Sequence, residues 1–291
     1  MIDIGRVFST SFAMLRERFW PLVGMWALFF VIQMAGVVLL SIGLAVVGIA
    51  GGAAGLGAGL DDLSALAGLG IGMIIFIVLY YAAYIVILLA QQAAMVALAS
   101  PLEDPSFGGA LLRGFKSALP FLAITLLLML AYLAIAFAVG AVLGAVGLGS
   151  ETASGFLGIL IALLFVPVAI YFGCRFSVLV PVVAVDQVFS PIAALRRSWA
   201  LTRGKVLQIF LALLCFILIS AVALGLPFGL IFGAVFAGGD DPAALGGLAI
   251  IGFLLMFPLF IIYTIYASAF TASLHSEVTD GGAEALEEVF A

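Results

Sequence analysis

The sequence has 291 residues, of which 66% are hydrophobic and 9% charged, against about 45–50% and about 25% in a soluble domain. No water-soluble fold has enough polar surface to cover so large an apolar core, so soluble classes are excluded. The formal net charge is −5, but in a membrane protein the placement of charges matters more than their sum. The sequence therefore predicts an all-α, polytopic membrane protein.

Six apolar stretches are long enough to cross a bilayer, because a transmembrane helix needs about 20 apolar residues. The predicted spans lie near 22–47, 71–93, 119–143, 156–176, 206–232 and 248–272. The first span is expected to be retained rather than cleaved as a signal peptide, because Asp3 and Glu17 lie among the basic residues before and around its start.

The charges predict the orientation of the spans. The turns after spans one, three and five contain Asp61, Asp62, Glu151, Asp240 and Asp241, but no Lys or Arg. All ten basic residues lie on the other side: Arg6, Arg16, Arg18, Arg113, Lys116, Arg175, Arg196, Arg197, Arg203 and Lys205. Because basic residues near span ends stay in the cytoplasm, both termini are predicted to be cytoplasmic.

Three segments on the basic side resemble one another: "VFSTSFAMLRERFWPL", "SFGGALLRGFKSALPF" and "VFSPIAALRRSWALTRGK". Each begins near a phenylalanine (Phe8, Phe107 or Phe189) and leads into an odd-numbered span. They predict three repeated units, at about 1–100, 101–185 and 186–274, each an interfacial amphipathic helix followed by a helical hairpin. A short acidic cytoplasmic tail, 275–291, follows. The alternative is a generic likeness between any basic helix and any membrane span.

The third segment carries the clearest helix signals. Ser190 is a favourable N-cap, Pro191 suits the first helical position, and Gly204 can end the helix. Apolar and basic residues fall on different sides, as in a helix that lies in the membrane interface. The apolar side holds Ile192, Leu195, Trp199 and Thr202.

Basic residues on such helices are predicted to contact anionic lipid headgroups, at about 1 kcal/mol for each residue near the surface. The predicted headgroup contacts are Arg196, Arg197, Arg203, Lys205, Arg113, Lys116, Arg16 and Arg18. The alternative is that these charges serve only to orient the protein, and the two explanations are compatible.

Arg175 is predicted to lie at the cytoplasmic boundary, because the 23 residues 152–174 are long enough, at about 34 Å, to cross the bilayer first. The apolar run after it, broken by Pro181, is predicted to be an elbow packed beneath the bundle. Asp186 is a candidate partner for Arg175 or Arg197, and an Arg175–Asp186 structural ion pair is the prediction.

Several remaining features favour packing over chemistry. Cys174 and Cys215 are expected to be buried thiols. Tyrosines of the even-numbered spans are expected in aromatic belts or interhelical hydrogen bonds. Glycines spaced by four are expected to let helices approach closely: Gly51, Gly55 and Gly59; Gly140 and Gly144; Gly225, Gly229 and Gly233.

The stretch "RFSVLVPVVAVDQVFSPIAALRRSWALTRGK" resembles the membrane domain of the glycerophosphoryl diester phosphodiesterase family, through Arg175, Pro181, Asp186 and the helix "ALRRSWALTRG". The resemblance implies a six-span protein of a bacterial inner membrane. Some relatives add a soluble phosphodiesterase barrel that uses histidines and metal-binding carboxylates. With His275 as its single histidine, this sequence is expected to have no catalytic residues, no metal site and no cofactor.

Three functions remain open. The first is a non-catalytic protein that handles or organises lipids, with anionic headgroups as ligands, a possible membrane-protein partner and no nucleic acid. The second is a transporter of a small solute or lipid, with a path between the hairpins, where Pro167, Pro227 and Pro258 could kink the spans. The third, a membrane-embedded enzyme, is disfavoured because no nucleophile, base or metal set is evident.

Overall fold

The computed structural model describes residues 2–58, 63–147, 151–236 and 242–279, and all regular secondary structure within these ranges is helical. Its helices are α1 Ile4–Glu17, α2 Phe19–Ala58, α3 Leu63–Leu98, α4 Phe107–Gly147, α5 Glu151–Phe176, α6 Leu179–Ala184, α7 Pro191–Leu201, α8 Val206–Phe236 and α9 Pro242–Val278.

Six helical segments are long and apolar enough to cross a membrane, which confirms the predicted number of spans. They are Phe19–Val46, Gly72–Leu98, Phe107–Ala145, Gly155–Ala184, Val206–Gly233 and Ile250–Val278. Only 0% to 17% of the residues in each segment's most apolar stretch are buried. Apolar side chains therefore face outward over most of their length, as they do when the surrounding solvent is lipid.

The packed core lies at one end of the bundle, where α2, α4 and α8 begin and α3, α5 and α9 end. We call this the basic end, since the Lys and Arg residues lie there. Residues 93–98 of α3 and 269–270 of α9 are buried, as are Leu22, Met25 and Phe29 of α2. α5 stops at Phe176, and the chain turns into the short buried helix α6, which packs against α3, α4, α7 and α9. The predicted elbow is therefore packed against the bundle.

The three basic segments do not fold alike. α1 and α7 are separate helices, and Gly204 turns the chain after α7 with a φ of +76°. The separate interfacial helix predicted for the second segment is wrong, because that segment is the beginning of the 41-residue helix α4. Within this helix, Gly114 lets α4 approach α3 closely: a methyl group there would lie 2.5 Å from the Ala90 carbonyl oxygen.

Most of the glycine prediction is also wrong where the structure describes those positions. A methyl group added at Gly140, Gly144, Gly225, Gly229 or Gly233 would meet nothing within 4 Å. The surroundings of Gly51, Gly55 and Gly59 lie outside what the structure describes. Close approaches occur instead at Gly114 and at Gly252, where a methyl group would lie 3.2 Å from the Pro227 carbonyl oxygen of α8.

The two cysteines differ from each other. Cys174 is buried as predicted, whereas Cys215 is exposed on α8. Cys215 lies within the Val206–Gly233 segment, so its surroundings are those of a lipid-facing side chain.

Candidate functional site

The end of α5, helix α7 and the turn after α7 bring three arginines together. Arg175 lies in the last turn of α5. Ser190 has the extended backbone of an N-cap but makes no side-chain capping bond, and Pro191 begins α7 as predicted. Arg196 lies in α7, and Arg203 lies in the turn that follows it. The backbone carbonyl of Arg175 accepts a 2.7 Å hydrogen bond from Ser198 Oγ, which fastens the two helices together.

Neutral groups hold the Arg175 guanidinium and leave one Nη2 proton for a further acceptor. Its Nε and Nη2 donate to Tyr171 Oη at 3.1 and 2.8 Å, and its Nη1 donates to the Trp199 carbonyl oxygen at 3.1 Å. Thr202 Oγ1 lies 3.5 Å from the same Nη1. Arg175 Cζ also lies 4.6 Å from the ring centroid of Trp199 and 5.2 Å from that of Tyr171, within the range of cation–π attraction.

The charge of Arg175 nevertheless has no counter-ion in the described part of the chain. The residue is 7% exposed, and among the described residues no carboxylate forms an ion pair with it. Carbonyl, hydroxyl and ring partners orient a guanidinium and replace part of its hydration, but they leave its positive charge in place. The arrangement therefore favours an anion nearby.

A cavity of about 660 Å³, which we call the α5–α7 cavity, borders this arginine. It is lined by Tyr171, Arg175, Arg196, Trp199, Ala200 and Arg203. Arg196 and Arg203 are exposed, and neither forms an ion pair within the described ranges. Three guanidinium groups thus face one space with two aromatic rings in its wall, a donor set that suits the oxygens of a phosphate.

The predicted Arg175–Asp186 ion pair is wrong, and Arg197 is the partner of Asp186. Arg197 Nε lies 2.7 Å from Asp186 Oδ2, and His275 Nε2 lies 3.4 Å from Oδ1. Successive residues of a helix point about 100° apart, so Arg197 leaves α7 towards the α6 side while Arg196 faces the cavity. The sequence allowed either arginine, and the direction of α7 decides between them.

Asp186 lies outside the spans, and its protonation follows from its partners. Burial alone would raise the pKa of Asp186, but the hydrogen bonds and charges of His275 and Arg197 together outweigh it and lower the pKa below its ordinary value of 3.8. Asp186 is therefore a carboxylate at neutral pH, and it joins the elbow to α7 and to the end of α9.

Four of the predicted headgroup residues are held by protein groups: Arg18, Arg113, Arg197 and Lys205. Arg18 donates to three backbone carbonyls of residues 98–103 at 2.8 to 3.3 Å and pairs with Asp104 at 3.0 Å. Arg113 pairs with Glu103, and Lys205 Nζ donates to the Val278 carbonyl oxygen at 2.7 Å. These bonds tie loops and helix ends together.

The other two predicted headgroup residues lie away from the α5–α7 cavity. Arg16 is exposed beside an apolar groove of about 530 Å³ formed with Phe12, Leu15, Phe19 and Trp20. Lys116 is exposed on α4. Of the eight predicted contacts, the structure thus brings Arg196 and Arg203 together.

The sequence patterns predict Tyr171 in aromatic belts or interhelical hydrogen bonds and Arg175 in an ion pair, and they do not connect the two residues. A signal was present, because a tyrosine four residues before an arginine lies on the same face of a helix. Trp199 contributes a backbone carbonyl as well as its ring. A hydrogen bond to a backbone carbonyl of another helix cannot be predicted from residue types, because every residue has such a carbonyl.

A comparison with known families matches the part of the chain that forms this site. Residues 151–287 match the family model described as "Membrane domain of glycerophosphoryl diester phosphodiesterase". The match includes every residue that lines the α5–α7 cavity, and it confirms the resemblance over this region. No curated protein matches the chain, and no solved structure does.

Proposed function

We propose that the protein is a non-catalytic membrane protein that binds and organises lipids with anionic headgroups. It resides in a bacterial inner membrane, with both termini in the cytoplasm. The single observation that carries the proposal is the α5–α7 cavity, where Arg175, Arg196 and Arg203 surround a space without a carboxylate in its lining. The phosphate of a lipid would supply the missing negative charge.

The chemistry of the α5–α7 cavity favours a phosphate over an uncharged, apolar ligand. Guanidinium groups donate paired hydrogen bonds in a planar fork that matches phosphate oxygens. Arg175 is already oriented by Tyr171 and Trp199, so it loses little conformational freedom when it binds. Arg196 and Arg203 are exposed and can adjust to the headgroup.

The walls of the cavity favour a lipid over free phosphate. Tyr171 and Phe172 are 39% and 45% exposed on a helix of the membrane-spanning set. Phe172 and Phe176 also pack around the Trp199 ring, with centroids 5.8 and 6.1 Å apart. Aromatic and apolar surface therefore continues from the cavity towards the acyl chains, where tryptophan and tyrosine are favoured. The family match names a phosphate diester of glycerol, which agrees with this class of ligand.

The test replaces Arg196 and Arg203 by Gln and leaves Arg175 in place for folding. The matched control is Arg16→Gln with Lys116→Gln, which removes the same charge from exposed positions elsewhere. Both variants are reconstituted in nanodiscs of mixed anionic and zwitterionic lipid. The lipid that stays bound to the protein is then measured by native mass spectrometry at several salt concentrations, with and without inorganic phosphate.

We expect the first variant to lose most of the preference for anionic lipid, and the control to keep it. The preference of the unmodified protein should weaken with salt, because the attraction is electrostatic. Equal losses in the two variants would show that net charge alone attracts the lipid. Displacement of lipid by inorganic phosphate at low concentration would assign the cavity to a soluble anion.

A further inference from the structure

A second, partly open cavity lies between α3 and α9. It has a volume of about 220 Å³, and six uncharged polar residues line it alongside apolar ones. They are Gln91, Gln92, Tyr263, Thr264, Ser268 and Thr271. Both helices are candidate membrane spans over these residues, Gly72–Leu98 and Ile250–Val278.

These residues adjoin the packed core at the basic end of the bundle. Polar side chains within membrane spans are costly unless they find partners, and they frequently mark a functional site. Gln33 of α2 holds the side chain of Gln91 in place, because its Nε2 donates to Gln91 Oε1 at 2.7 Å. Ser268 is 6% exposed. Six polar groups converging on one space exceed what a single interhelical hydrogen bond requires.

The hydrogen bonds leave both donors and acceptors free to face the cavity. Thr264 and Thr271 donate their hydroxyl protons to carbonyls four residues earlier at 2.8 Å, and Ser268 does so at 2.9 Å. Their oxygens therefore keep lone pairs that can accept. Gln91 uses its carbonyl oxygen on Gln33, so its amide N–H groups can donate, and the amide of Gln92 can do both.

We propose that this cavity binds a small uncharged molecule rich in hydroxyl or amide groups. Its volume is large enough for several water molecules or for one small organic molecule. An ion would enter without a counter-charge, since none of the residues lining the cavity is charged. This site is separate from the α5–α7 cavity and does not depend on the proposed function, and a solute bound there would occupy the space that a transporter requires.

The experiment uses a thiol placed in the cavity wall by Ala267→Cys, in a chain that carries Cys174→Ala and Cys215→Ala. Ala267 lines the cavity. Two probes of nearly equal size are compared in proteoliposomes: iodoacetamide, an uncharged amide, and iodoacetate, an anion. The thiol of Ser9→Cys, at an exposed position, gives the reference ratio of the two rates. Native Cys215, in a chain lacking Cys174, gives the rate for a lipid-facing thiol.

The proposal predicts that the Ala267→Cys thiol reacts with iodoacetamide about tenfold or more faster than Cys215, because a thiol surrounded by lipid forms little thiolate. Its preference for iodoacetamide over iodoacetate should exceed the Ser9→Cys ratio. Excess acetamide should slow the reaction, and Gln91→Leu should abolish that protection. A second position in the same wall, Thr271→Cys, repeats the measurement if the first variant folds poorly.

Three results would each overturn the proposal. A rate no faster than that of Cys215 would mean that the cavity is dry and that the polar residues only join helices. An iodoacetate rate in the same ratio as at Ser9→Cys would mean that the site does not discriminate against charge. A reaction that acetamide does not slow would mean that the space is hydrated without binding a ligand.

Discussion

The hydrogen bonds between Tyr171 and Arg175 allow a direct test of how the α5–α7 cavity is built. Tyr171→Phe removes the hydroxyl that accepts two bonds from the guanidinium, at 3.1 and 2.8 Å, and keeps the ring 5.2 Å from Arg175 Cζ. A hydrogen bond to a charged group contributes about 1.5–3 kcal/mol. Because the acceptor is a single oxygen and Tyr171 is 39% exposed, we expect a loss at the lower end, about 1.5 kcal/mol.

The prediction is a coupling, measured by a double-mutant cycle with Arg175→Gln. In the Arg175→Gln background, Tyr171→Phe should cost less than about 0.5 kcal/mol, so the coupling energy should be about 1 kcal/mol or more. Reversible unfolding in mixed detergent micelles gives the four free energies. Tyr132→Phe, at a 58% exposed position on α4, is the matched control and should stay within about 0.5 kcal/mol of the parent. Additive losses in the cycle would refute the contact on which the cavity depends.

Three further predictions follow from other parts of the molecule. Asp186→Asn should cost about 2 kcal/mol by leaving Arg197 unpaired. Since the folded-state pKa of Asp186 lies below 3.8, its carboxylate stabilises the fold above that pH and loses this effect as the pH falls through the folded-state pKa. Unfolding measured against pH should show that acid-side loss in the parent and not in the variant. Gly114→Ala should destabilise the folded protein by about 1–3 kcal/mol through overpacking against α3. Gly144→Ala, with open space around it, should be neutral or stabilising in thermal unfolding. Equal effects of the two substitutions would contradict the close α3–α4 contact. Single cysteines in an otherwise cysteine-free chain test the orientation with an impermeant reagent. Labelling from outside is expected at Asp61, Glu151 and Asp240, and none is expected at Arg113 or Arg203. Labelling from outside at Arg113 or Arg203 would contradict the predicted orientation.

The spans could be predicted from the sequence because their signal is local and long. An uninterrupted apolar run of about 20 residues has few alternatives to crossing the membrane. The continuity of α4 could not be predicted in the same way. Gly108, Gly109 and Gly114 weaken an isolated helix, but the last of them is where α4 packs on Ala90, and packing outweighs helix propensity.

The candidate sites were predictable only in part, because they depend on which way side chains leave their helices. The basic character of α7 was evident, but Arg196 and Arg197 are neighbours in sequence with opposite roles: one faces the cavity and the other binds Asp186. The α3–α9 cavity joins residues far apart in the chain, as the Gln33–Gln91 bond illustrates. Two adjacent glutamines inside an apolar run were the visible sign of it.

The central claim is that an anionic headgroup is held among Arg175, Arg196 and Arg203. The most direct measurement is a density map of the protein in nanodiscs that contain anionic lipid. The account predicts phosphate density within hydrogen-bonding distance of these guanidinium groups, with acyl density along Phe172, and its loss in the Arg196→Gln, Arg203→Gln variant. A cavity that is empty in both maps, or phosphate density gathered at Arg16 instead, would contradict it.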